Sequence, residues 1–418
     1  MRMREIRELV RPRASGLGRT SVLDRCHDMD DLRTAARRRL PRAVFDYVDG
    51  GADEEITLAA NRDAFRRVCF SPRVLRDVSA PDLSTRLFGA DLRSPLGLAP
   101  TGYTRMIHPD AEPAVARAAA ARGLPYTLST VATTALEDVA ETGHTNLWFQ
   151  LYVLKDRALT YALVSRAEAA GFHVLEVALD TAVAGHRTRD ARNGFTIPPR
   201  LALRTVLDIG TRPGYWTSVL RGAPLTLANL QASDSPGQRA TVAALNDLFD
   251  PAVTWDDIAE LRARWPGALI LKGPLGPADV RRAIEAGADG VHLSNHGGRQ
   301  LDRCVSPLDL LRPAREAAGD RLALVLDSGV RHGADIAAAL ALGADLCMIG
   351  RPYLYGAAVG GRAGVERAVD LLVAQLRRTV QLLGVTDLTE LRKHGPELVA
   401  LTPSPLPHRP AGGEDGHV

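Results

Sequence analysis

A chain of 418 residues is longer than an average domain, yet one (β/α)₈ barrel with additions accommodates it, since such barrels commonly run past ~250 residues. Hydrophobic residues at 45% and charged residues at 24% exclude a disordered chain, and 52 basic against 49 acidic residues leave a net charge of +3, no bulk signal for nucleic acid. The four cysteines, Cys26, Cys69, Cys304 and Cys347, lie too far apart for a zinc knuckle or a disulfide framework, and neither an export signal nor a run of ~18 apolar residues stands out. The expected location is therefore the cytoplasm, with peripheral contact at the inner face of the cell membrane left open.

In chain order, residues 1–28 read as a basic, flexible tail and 29–390 as the main domain. Its preface, 29–94, carries one helix over DLRTAARRRLPRAVFDYVDGG, another over DEEITLAANRDAF, and short strands around PDLSTRLFGADLRS. From 95 to 390 short apolar runs alternate with alanine-rich helical stretches, the pattern of parallel strands joined by crossover helices. The runs are PLGLAP, YTLS, LWFQLY, HVLEVALD, ALILKG, GVHLSN, RLALVLDSG and DLCMIG, and several of the helices between them end in a glycine suited to a left-handed cap. Eight such units predict a closed (β/α)₈ TIM barrel, an α/β fold with a small helical preface. The connection 185–253 after strand four is far longer than a usual loop; its Trp216, Leu220, Leu225, Leu227 and Leu230 suit either a lid on the barrel or a membrane-surface patch. Residues 391–418 read as a C-terminal tail.

Barrel enzymes place their reactive groups at the C-terminal ends of the strands. There this chain offers Thr101, Ser129, Gln150, Tyr152, Asp180, Arg187, Lys272, the run Ser294 to Arg299, Asp327 to Arg331, and Gly350 with Arg351. No pair of histidines with a carboxylate appears among them, which argues against a metal-dependent hydrolase. Gly329 and Arg331 after strand seven, with Gly350 and Arg351 after strand eight, suit a phosphate, because glycine lets backbone N–H groups approach it and arginine binds it bidentately. Lys272 either pairs with a carboxylate or stabilises a ligand anion. His296 lies among glycines, three residues before Arg299: an imidazole can take a proton near neutral pH, and a guanidinium can hold a carboxylate by two hydrogen bonds. Asp180, at the end of strand four, could orient that imidazole or merely cap the next turn.

At SNHGGRQLD the chain resembles the FMN-dependent α-hydroxy acid dehydrogenases, a family that includes glycolate oxidase, flavocytochrome b₂, mandelate dehydrogenase and bacterial L-lactate dehydrogenase. The resemblance runs from about 29 to 390 through FDYVDGGADEEITLAANRDAF, APTG, FQLYVLKDR, LDTAVAGHRTRD, LKG, LDSGVRHGADI and IGRPYLYG. It implies FMN cradled by Pro100, Thr101, Gly102, Ser129, Gln150, Lys272, Ser294 and Asp327, with its phosphate at Gly329, Arg331, Gly350 and Arg351. Tyr47 would help Arg299 and Arg187 bind the substrate carboxylate. Tyr152 would bond the substrate hydroxyl, and His296, paired with Asp180, would be the base. The chain looks nearest to the quinone-linked bacterial L-lactate dehydrogenases. The resemblance therefore implies a peripheral membrane enzyme, a tetramer in many relatives, that oxidises L-lactate or a similar acid and passes electrons to a quinone. Alternatives are an oxygen-dependent oxidase of the glycolate or mandelate type and a flavin oxidase of a peptide-derived redox cofactor precursor. Val131 stands where glycolate oxidases carry tryptophan, Ala178 where many members carry threonine, Ser328 where glycine is usual, and Gly102 where many oxidases have alanine.

Overall fold

The computed structural model describes residues 21–194, 211–230 and 248–405. Eight parallel strands, β1 (Leu96–Leu98), β2 (Tyr126–Ser129), β3 (Leu147–Leu151), β4 (Val174–Ala178), β5 (Ala268–Gly273), β6 (Gly290–Leu293), β7 (Ala323–Leu326) and β8 (Leu346–Ile349), close into a barrel. Each pairs with its neighbours in sequence, and β8 closes on β1 with Cys347 opposite Leu96. The strands are buried on both faces, which is why each reads as a mainly apolar run and not as an alternation. The helix Ala111–Arg122 ends at Gly123, whose φ of +63° is the expected left-handed cap.

Inside the barrel, Trp148, Val174, Ile270, Val325, Leu346 and Met348 form an apolar plug. The hairpin Thr85–Leu87/Ala90–Leu92 seals the N-terminal end beneath it, with the Phe88 ring edge-on to Trp148 at 5.5 Å between centroids. Among the described residues, the C-terminal mouth is the end of the barrel left open to a ligand.

The preface differs from expectation in one respect. The first predicted helix is two, Met29–Arg39 and Arg42–Asp49, because Pro41 has no N–H to donate and forces the preceding Leu40 into an extended conformation. The break lets the second helix cross toward the barrel mouth, where it presents Tyr47. Its last residue, Asp49, is buried against Arg33 at 2.6 Å and accepts a 2.7 Å hydrogen bond from the Tyr355 hydroxyl.

Described structure extends into both segments expected to be tails. Before residue 29, Leu23–Arg25 forms a 3₁₀ turn and Cys26 is buried, its carbonyl accepting from Arg367. Beyond 390, the helices Leu388–Lys393 and Gly395–Leu398 lead into Val399–Leu401, which pairs antiparallel with Val68–Phe70. This contact joins residues some 330 positions apart, so no local pattern announces it. The predicted tail segments 1–20 and 406–418, and the parts 195–210 and 231–247 of the long connection, lie outside the described residues, as does the side chain of Leu220.

What is described of that connection packs on the barrel. Tyr215, in the helix Pro213–Arg221, is buried and donates to the Met106 carbonyl at 2.7 Å. Leu227 and Asn229 are also buried, Asn229 accepting from the Leu136 N–H at 2.9 Å, while Trp216, Leu225 and Leu230 are partly buried against the core. Phe249, where the chain returns, lies 4.8 Å from the Tyr152 ring and closes one side of the mouth.

Candidate active site

β6 ends at Leu293, and the chain then turns through three consecutive left-handed residues, His296, Gly297 and Gly298, with φ of +58°, +66° and +76°. A non-glycine residue there costs of order 1–3 kcal/mol, so the surroundings must hold it. They do: the N–H groups of His296, Gly297 and Gly298 donate to Ser294 Oγ, Ser328 Oγ and Asn295 Oδ1 at 3.0, 3.0 and 3.1 Å. Asn295 is in turn locked by reciprocal amide bonds of 2.8 Å with Asn61 of the helix Ile56–Arg66. The turn thus aims the imidazole from a fixed backbone.

His296 Nδ1 lies 3.2 Å from Asp180 Oδ2 and 3.3 Å from Oδ1. With Nδ1–H donating to the carboxylate, Nε2 is the free lone pair, which is the tautomer a base needs. His296 is 26% exposed and Asp180 5%. Burial alone would raise the Asp180 carboxyl, but the neighbouring His296 and Lys272 charges hold it below the usual carboxylate range. It therefore stays anionic and can stabilise an imidazolium.

Around this base lies a cavity open at the barrel mouth, of about 1390 Å³ of empty space including its open part. Of the predicted site residues, Tyr47, Pro100, Thr101, Gly102, Ser129, Gln150, Tyr152, Arg187, Lys272, His296, Arg299, Asp327, Gly329, Arg331, Gly350 and Arg351 all line it. Asp180 and Ser294 stand one layer back, behind His296 and Lys272 respectively.

Above the base, the Tyr47 ring has two guanidinium groups over it, with Arg299 Cζ at 4.8 Å from its centroid and Arg187 Cζ at 5.6 Å. Arg299 donates to the Tyr47 carbonyl, and Arg187 is fixed by Asp190 at 2.8 Å. Burial and the nearby Arg187 charge push the Arg299 guanidinium below its usual range. Burial likewise pushes the Tyr152 phenol well up, with Asp180 adding to it, so it remains an O–H donor.

The floor suits a flavin. Gln150 accepts from Ser129 Oγ at 2.9 Å, while its buried Nε2 has no partner among the described residues, a donor waiting for an acceptor in the cavity. Lys272 Nζ donates to Ser294 Oγ at 2.6 Å and lies 3.3 Å from Asp327 Oδ2. Thr101 presents no free hydroxyl: Tyr353 already donates to the Ala99 carbonyl at 2.9 Å, so the 2.6 Å contact leaves Thr101 as donor to Tyr353. At the phosphate end a side chain on Gly350 would meet nothing nearer than Thr101 at 3.9 Å, so the backbone is approachable.

Two details there escaped the sequence. Arg351 spends its guanidinium on the carbonyls of Val48, Gly297 and Gly50 at 3.0, 2.9 and 2.7 Å, tying the preface to the base's turn. Arg62, from the preface, is partly buried beside Arg331; its partial burial and that like charge push it down to about 10. Arg331 and Arg62 together supply the excess positive charge that a phosphate dianion would neutralise. Arg62 and Asn61 give no local signal, because they sit in an ordinary amphipathic helix whose partner is more than 200 residues away.

The family described as FMN-dependent dehydrogenase matches residues 36–397. A Mycobacterium tuberculosis protein named "Putative L-lactate dehydrogenase" is 47% identical over 381 residues, covering 91% of each chain. The L-lactate dehydrogenase of Caulobacter vibrioides is 42% identical over 87% of this chain and 95% of its own. Among solved structures, the monotopic membrane protein (S)-mandelate dehydrogenase superposes with a TM-score of 0.85 at 38% identity, covering 90% of this chain and 99% of that one.

Proposed function

Because the chain belongs to the FMN-dependent dehydrogenase family and is an FMN-dependent 2-hydroxy acid dehydrogenase, we propose that it oxidises L-lactate or a close L-2-hydroxy acid and passes the electrons to a quinone. The observation that carries the reading is one cavity in which a carboxylate-paired histidine, two tyrosines and two guanidiniums converge, Arg187 paired with Asp190 and Arg299 in no ion pair among the described residues.

In this reading Arg299 and Arg187 take the substrate carboxylate, with Tyr47 between them, and so orient Cα over His296. Tyr152 donates to the substrate hydroxyl oxygen and keeps its bond as that oxygen becomes a ketone. His296 Nε2 accepts a proton, and Asp180 balances the resulting imidazolium charge. Bound FMN, held by Gln150, Lys272, Ser129 and the phosphate-end arginines, supplies the two-electron sink.

The L-lactate dehydrogenases among the relatives favour lactate as the acid, and Val131, which lines the cavity, is smaller than the tryptophan that glycolate oxidases carry there and so keeps a larger acid as a second reading. Anaerobic mixing with L-lactate, L-mandelate and glycolate, then reoxidation by a soluble quinone against oxygen, tests acid and acceptor separately. Bleaching by L-lactate and faster return with quinone is the expected pattern; bleaching by none of the three would remove the substrate assignment, and preferred return with oxygen would make the protein an oxidase.

Peripheral membrane attachment is supported by the monotopic (S)-mandelate dehydrogenase; among the described residues no helix is long and apolar enough to cross a membrane. Co-flotation with anionic phospholipid vesicles tests it. A homotetramer is the expected assembly, supported by the family resemblance alone and tested by light scattering.

A further inference from the structure

Below the cofactor floor lies a buried charge cluster that the reaction as described does not use. Glu176 of β4 and His292 of β6 are both wholly buried inside the barrel and meet at 2.8 Å, Nδ1 to Oε2. The other imidazole nitrogen, Nε2, lies 3.2 Å from Asp327 Oδ2, without an aligned hydrogen bond. The Lys272 ammonium reaches that same oxygen at 3.3 Å, while Asp327 Oδ1 accepts from the Ser328 hydroxyl at 2.6 Å. One carboxylate oxygen therefore faces two cations.

This arrangement has an electrostatic consequence. In a low-dielectric interior a Lys272–Asp327 pair on its own would be nearly self-neutralising, and little positive potential would reach the cavity. A second cation on the same oxygen takes up part of the Asp327 charge. Glu176 keeps that second cation protonated: burial opposes the imidazolium, and the Glu176 and Asp327 carboxylates outweigh it, raising His292. The cost of burying two further charges in a barrel interior that also holds the apolar plug of Trp148, Val174, Ile270, Val325, Leu346 and Met348 is large.

We propose that Glu176 and His292 form a positioning pair: His292 shares Asp327 with Lys272 and so leaves the Lys272 ammonium's charge directed at the bound cofactor. The pair acts through Lys272 and touches neither substrate nor cofactor. The proposal rests on FMN lying over Lys272, and the wild-type protein checks that separately: a wild type that binds no FMN fails the cofactor reading, whereas a wild type that binds it and variants that behave like it fail this one.

The test uses FMN-loaded protein and two readouts apart from turnover: the reduction potential of the bound flavin and its affinity for sulfite, which adds to oxidised flavin and leaves a negative charge near the Lys272 side. Both should rise with positive potential. His292→Gln leaves Glu176 without its cation, so the potential should fall and sulfite should bind at least ~10-fold more weakly, one order of magnitude standing for a modest electrostatic change. Glu176→Gln with His292→Gln removes both charges together and should recover part of that loss. A purely structural pair predicts the reverse order, with the double variant the more damaged. Unchanged sulfite affinity in His292→Gln, or a double variant no better than the single, overturns the proposal. Should His292→Gln fail to retain FMN, the double variant decides alone: FMN bound as tightly as in the wild type together with weaker sulfite binding supports the pair, and wild-type sulfite affinity, or loss of FMN and sulfite binding together, overturns it.

Discussion

His296 and Asp180 come from turns 116 residues apart and meet with Nδ1 3.2 Å from Oδ2, which leaves the other imidazole nitrogen for the cavity. Asp180 does not line the cavity, so its contribution passes through the imidazole. Asp180→Asn should keep the fold and FMN but lower kcat by roughly 10²–10⁴, the range for general-base function, with KM changed little. A large rise in KM at unchanged kcat would place Asp180 in substrate binding instead.

Arg299 lies over Tyr47 and, with Arg187, carries the charge for the substrate carboxylate. Lysine retains that charge but not the planar pair of donors. Arg299→Lys should raise KM for an L-2-hydroxy acid about 10-fold or more, the effect of one lost charge-assisted hydrogen bond. Steady-state kinetics across a concentration series reads this directly, and an unchanged KM would move the carboxylate site elsewhere.

At the other end of the cavity, Arg331 faces the expected phosphate with Arg62 crowding it from behind. Arg331→Met should weaken FMN binding by roughly 10- to 100-fold, as one charged hydrogen-bond partner is lost. Titrating apoprotein with FMN by fluorescence quenching measures it; riboflavin, which lacks the phosphate, should bind the two proteins equally.

Asp49 supplies a pH prediction. Burial raises its carboxyl, but Arg33 and Tyr355 more than offset this and bring it from the ordinary 3.8 down to about 2. A depressed carboxylate stabilises the fold above its unfolded value and loses that contribution as pH falls through the folded one. About 2 kcal/mol should therefore disappear between pH 4 and 2. Asp49→Asn should be less stable near neutrality by an amount of that order, and its denaturation midpoint should change less over that interval. Parallel pH profiles for the two proteins would contradict the assignment.

The barrel and most of the cavity lining were legible because both depend on local pattern. Eight doubly buried strands leave eight apolar runs, and the residues just after each run face the mouth. What was missed depends on distant contacts or on reading a run as merely apolar. Pro41 sits inside a helical periodicity and breaks it. Val399–Leu401 is three residues long and gains its meaning only from Val68–Phe70. Arg351 looks like a phosphate ligand beside Gly350, yet in three dimensions it meets the carbonyls of Val48, Gly50 and Gly297. Glu176 and His292 are hidden in VLEVA and GVHL, where one polar residue among apolar ones gives no sign that the two face each other across the barrel interior.

The most direct test of the central claim is single-turnover reduction of bound FMN by L-lactate under anaerobic conditions, comparing the wild type with His296→Ala. The imidazole contacts Asp180 and the cavity, so its removal should leave FMN binding intact. The account predicts a yellow variant whose flavin reduction is at least ~10³-fold slower than wild type. A variant that binds FMN and is reduced at a near-normal rate would contradict it, because another group would then be taking the proton.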